Sequence, residues 1–109
     1  MDIQKVQNVM RRIKPQLEAC DTRESQINIT ISALKDAFPY VSYLQAIYGS
    51  IENITAKAEH IEIETIIREL EYIKKCQEGV VLKALPGSDD LSSTLSLILD
   101  TLGIHYTFI

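Results

Sequence analysis

His60 and Glu64 stand four residues apart, the spacing that turns two ligand side chains toward one face of a helix. A metal site needs a third and usually a fourth donor, and the only further candidates, Cys76 and His105, are distant in sequence. The pair therefore reads as a solvated His–Glu face, and no metal is expected. The segment Pro86-Gly87-Ser88-Asp89-Asp90 opens a helix, where free amides attract anions. Its two carboxylates repel such a ligand, neither phosphate-loop glycine pattern is present, and a helix cap explains these residues better. Nucleophilic catalysis asks for an activated Ser or Cys beside a base. Ser88 lacks the strand-to-helix elbow sequence, Cys20 and Cys76 fall on apolar stripes or helix ends, and neither histidine adjoins a nucleophile. No enzyme, no cofactor and no small-molecule substrate is expected, and a small enzyme built around Ser88 or His105 is the third of three functional readings.

Lys5, Arg11, Arg12 and Lys14 are candidate phosphate contacts on the first helix. The chain as a whole carries a net charge of −4, whereas nucleic-acid binders neutralise phosphates with a clustered basic excess. The charge is also unevenly spread. Residues 1–48 hold six basic and five acidic side chains, and the remainder holds five basic and ten acidic ones. A mildly basic first helix lying against an acidic partner (Glu59, Glu62, Glu64, Glu69, Glu71) needs no nucleic acid to explain it. Tyr40, Tyr43 and Tyr48 near Pro39 form an aromatic cluster, a residue type enriched at binding surfaces.

The elements that must carry these residues are helical. Apolar residues recur at seven-residue spacing through the first 48 positions: Ile3, Met10, Leu17, Ile31 and Phe38 on one rung, and Val6, Ile13, Cys20, Ile27, Leu34, Val41 and Tyr48 on the other. Such a repeat keeps one seam of a helix facing another helix. The first helix is expected from Asp2 toward Cys20, kinked or broken at Pro15. Asp21-Thr22-Arg23-Glu24 reads as a capping box with Asp21 as cap, opening a second helix that breaks or kinks at Pro39 and resumes through Val41, Leu44 and Tyr48. A third helix runs from Ser50 to Glu78, closed by Gly79. Its apolar residues change side along its length: Ile51, Ile54, Ala58 and Ile61 first, then Ile63, Ile66, Ile67, Leu70 and Ile73 about 140° around, at roughly 100° per residue. One face cannot bury both sets. Either the helix breaks near Glu62, or it is sandwiched between neighbours on two sides within one chain, or the first set packs on the chain's own helices and the second on something else, such as a second subunit. A chain of 109 residues has few elements to supply the sandwich, so self-association is the expectation.

After Gly79 the pattern becomes strand, helix, strand: Val80 to Leu85, a short helix carrying Leu91, Leu95, Ile98, Leu99 and Leu102, then Ile104 to Ile109. This unit usually forms a parallel pair, and two strands need further cover. The expected fold is mainly α, an antiparallel bundle of three long or kinked helices with a small C-terminal strand–helix–strand element, in one domain over residues 1–109 (1–78 helical, 79–109 the C-terminal element). No run is long and apolar enough to span a membrane, and the opening MDIQKV lacks a signal pattern, so a reduced, cytoplasmic protein is expected.

The leading functional reading is a non-enzymatic adaptor, escort or assembly module acting through apolar helix faces as a homo-oligomer. Its partners would be a second copy of itself and another protein, with Ile63, Ile66, Ile67, Leu70, Ile73, Tyr40 and Tyr43 as the interaction surface. The alternative is a nucleic-acid-associated regulator whose dimer presents two basic first helices.

Overall fold

The computed structural model describes residues 2–76, 79–83, 85 and 89–109. Among these the chain is mainly helical with a small two-stranded parallel sheet, in the order α1 (Ile3–Glu18), α2 (Arg23–Ala37), α3 (Tyr43–Tyr48), α4 (Ile51–Lys75), β1 (Val80–Leu82), α5 (Asp89–Leu102) and β2 (Tyr106–Phe108).

α1 starts where the Asp2 carboxylate accepts from the Lys5 amide at 3.2 Å. It buries Val6, Val9, Met10, Ile13 and Leu17. Pro15 lies inside it without ending it. A proline there deletes one bond, to the carbonyl four residues back, and both Pro15 and Arg11 are on the exposed side, where water can satisfy that oxygen. The cap of α2 is Thr22, one residue beyond the expected Asp21: its hydroxyl accepts from the Ser25 amide at 3.1 Å. Thr22 holds the extended conformation of a cap residue, and threonine is among the residues favoured there.

α2 ends at Ala37 ahead of Pro39, whose ring excludes the helical conformation from the residue before it. The chain then starts a separate short helix rather than resuming the second. Ser42 and Gln45 form a reciprocal capping box at the head of α3. Gly49 makes the tight exit: its amide bonds Gln45 O at 2.7 Å, and a Cβ at this position would run into that same carbonyl oxygen. At the other end of the chain Gly103, at φ +70°, closes α5 with Ile104 N donating to Leu99 O (3.0 Å) and Gly103 N to Asp100 O (3.1 Å). This is the bonding of a left-handed glycine cap.

One buried cluster gathers Val6, Met10, Ile13, Leu17, Ile27, Leu34 and Phe38 with Ile63, Ile66, Leu70 and Ile73, and continues across Gly79 to Val80, Leu82, Leu95, Ile98, Leu99 and Ile104. The strand pair is in parallel register, Val80 with Tyr106 and Leu82 with Phe108, and Ile109 N donates to Leu82 O at 2.9 Å. Val80 and Leu82 point inward while Val81 is exposed, so the second side of the sheet is open. The inward side is covered by the shared core, which relieves a two-stranded sheet of its usual weakness.

This packing overturns the expectation for the long helix. Ile63, Ile66, Leu70 and Ile73 are fully buried within the single chain, and Ile67 is half-buried against the same core. They are therefore not a surface for another subunit. α2 lies along this half of α4, and α5 also contacts α4. The C-terminal element thus adds cover that a count of three helices leaves out. The expected outer group is the inner one, and Ile51, Ile54 and Ile61, expected to be covered, are exposed.

Candidate functional site

Tyr40, Tyr43, Leu44, Ile47, Tyr48, Ile51 and Ile54 are each 48–83% exposed, seven large apolar side chains within fifteen positions. Of residues 39–56 only Glu52 is charged. Their exposed fractions amount to between four and five whole side chains, on the order of 900 Å² at about 200 Å² each. The largest apolar patch of a typical monomer is about 300–600 Å².

Local sequence builds this surface. Pro39 separates it from α2, the Ser42–Gln45 box starts α3, and Gly49 reverses the chain into α4. On a six-residue helix, Tyr43, Leu44, Ile47 and Tyr48 share one side, and Ala46 is the buried residue opposite. α3 packs against α4, where the Lys57 amine sits 4.4 Å from the centre of the Tyr43 ring. Along α4 the exposed residues Ile51, Ile54, Ala58 and Ile61 recur at spacings of three, four and three. This is the spacing of a short coiled-coil seam, and it faces solvent.

His60 fastens the arm to the body. Its Nδ1 lies 2.7 Å from Phe38 O, and since a carbonyl only accepts, the ring donates there. Nε2 is 3.2 Å from Glu64 Oε1, a contact that needs a proton on one of the two partners. Tyr40 meets the ring edge-on at 5.5 Å. Both ring nitrogens are thus engaged within the chain, and no group of three possible metal ligands occurs among the described residues. Beside this pair runs an open groove of about 520 Å³ lined by Lys35, Pro39, Tyr40, Ile63, Ile67 and Arg68 among others. A second hollow of about 370 Å³ lies under Ile51, between Phe38 and Glu59.

The four candidate phosphate contacts are not brought onto one face. Lys5 pairs with Glu59 at 3.8 Å and lies 4.3 Å from the Phe38 ring centre. Arg12 faces Asp36 and Ser32 of α2, whereas Arg11 and Lys14 border Leu97 and Thr101 of α5. The catalytic candidates are likewise separate. Cys20 and Cys76 are free, half-buried thiols donating to the carbonyls of Gln16 and Tyr72, and His105 is exposed ahead of β2. Ser88 and its flanking Pro86 and Gly87 lie outside the described residues. Tyr72 is exposed, and the neighbouring Cys76 holds its hydroxyl above the usual phenol range.

Of the expected interaction residues, then, Tyr40 and Tyr43 are exposed, as is Tyr48, the third member of their aromatic cluster, while Leu44, Ile47, Ile51 and Ile54 join them unanticipated. Two signals mark them in the sequence: Ser42-x-x-Gln45 as an independent helix start, and the near absence of charge between Pro39 and Ala56. No protein-family model, curated protein or solved structure matches this chain.

Proposed function

We propose that the chain is a non-enzymatic protein–protein interaction module that binds an apolar, uncharged protein face through α3 and the first turns of α4. One observation carries this reading: about 900 Å² of large apolar side chain on a helical arm, with Glu52 the lone charge between residues 39 and 56. Leaving that surface in water forgoes roughly 25 cal/mol per Å², so contact with a complementary surface is favoured. Three tyrosines suit the task, since each supplies wide contact at small entropy cost and keeps a polar tip for a hydrogen bond. The basic residues of α1 are split between the α2 and α5 sides, and no observation favours a nucleic acid.

The test compares the purified chain with a Leu44→Ser/Ile51→Ser double variant. The wild type is expected either to bind an apolar-surface fluorescent dye or to associate with itself, and the variant to lose both while keeping its helical circular dichroism. Identical behaviour of the two proteins in both measurements would overturn the reading.

A further inference from the structure

We infer that the occupant of this surface is a second copy of the same chain, paired antiparallel along the exposed seam of α4; this rests on the interaction reading above and specifies its partner. The seam is self-complementary. If two α4 helices run antiparallel about a two-fold axis beside Ala56, Ile51 faces Ile61 of the other copy and Ile54 faces Ala58, so four layers close with none left open. The large-against-small pairing of Ile54 with Ala58 lets the backbones approach at the middle of the contact.

Area agrees with this occupant. Four layers from 51 to 61 span only about 15 Å, too short a seam to hold two chains alone. α3 packs on the adjacent side of the same helix, and its exposed Tyr43, Leu44, Ile47 and Tyr48 bring the apolar surface to about 900 Å², near the ~800 Å² per partner of a standard interface. Contribution from both elements follows, and neither suffices without the other.

The same register makes an electrostatic demand. It brings Lys57 beside its own symmetry mate, a like-charge contact that the seating of the amine over Tyr43 only partly draws aside. Thr55 likewise approaches its mate across the axis, and Ile51 does not. The pairing should therefore tighten as salt rises, the reverse of an association driven by opposite charges.

Analytical ultracentrifugation of the full chain across concentration tests the proposal, with Ile54→Glu and Ile61→Glu as separate variants. The expected result is a monomer–dimer equilibrium that strengthens with added salt and weakens at least tenfold in either variant, with unchanged circular dichroism. Because both positions are exposed, one variant reports should the other unfold. In a background with Cys20 and Cys76 replaced by Ser, a short bismaleimide is expected to join Thr55→Cys chains to each other and not Ile51→Cys chains. A chain that stays monomeric yet binds the apolar dye removes the second copy as occupant and leaves the interaction reading standing. A dimer that Leu44→Ser/Ile51→Ser dissociates but Ile54→Glu and Ile61→Glu do not also overturns the seam pairing. A monomer that binds no dye overturns both.

Discussion

The two halves of α4 have nearly the same apolar content and opposite fates. Ile63, Ile66, Leu70 and Ile73 in its second half are wholly buried, while Ile51, Ile54 and Ile61 in its first half stand in solvent, Ile51 at 81%. Nothing in the side chains distinguishes them, since isoleucine dominates both groups. The difference comes from what lies alongside. α2 and α5 cover the second half, whereas the first half meets α3, a six-residue helix that shields one side only. Burial is a property of the neighbours available as much as of the residue, and a long amphipathic helix can outrun the core that the rest of its chain provides.

Several substitutions can break or sharpen this contrast. The largest effect is expected at Phe38, buried where the body meets the arm: Phe38→Ala should cost about 3–5 kcal/mol of unfolding free energy, measured by urea denaturation. Ile66→Ala, deep in the covered half, should cost about 2–5 kcal/mol, through lost burial and the cavity left behind. Gly49→Ala acts on the arm alone. Its added methyl group meets the Gln45 carbonyl oxygen, so α3 must shift, at about 1–3 kcal/mol, and self-association should fall more than global stability does. Thr22→Ala removes the α2 cap and should cost about 1 kcal/mol while leaving association untouched. Ile51→Ser, in the uncovered half, should change unfolding free energy by no more than about 0.5 kcal/mol and still weaken the dimer in sedimentation. Equal destabilisation by Ile51→Ser and Ile66→Ala would abolish the distinction between the two halves.

Much of the local structure was legible beforehand. The Asp2 cap, an interruption of the second helix at Pro39, the Gly103 cap and the parallel strand–helix–strand unit follow from residue chemistry acting over a few positions. By contrast α4, expected to run to Glu78 and close at Gly79, stops at Lys75 with Cys76 as its cap, and Gly79, though at positive φ, lies beyond it. Errors of one step arose where two neighbours could serve equally. Asp21 and Thr22 both cap well, and only the backbone path selects Thr22. Pro15 reads as either a kink or a break because its effect depends on whether the orphaned carbonyl can reach water, which is decided by which side of α1 faces out. The separate α3 was missed because a heptad count carries Val41 and Tyr48 onward as one seam, although Tyr48 is 83% exposed.

The sequence alone determined most of the helical and strand segments, the Asp2 and Gly103 terminators and the fact that the longest helix has two apolar sides, because propensity, capping and periodicity act within a turn or two of the chain. Which of those sides became core was decided only in three dimensions. Leu95, Ile98, Leu99 and Ile104, twenty or more residues beyond the end of α4, join the core that α1 and α2 begin, and cover of that kind has no local signature.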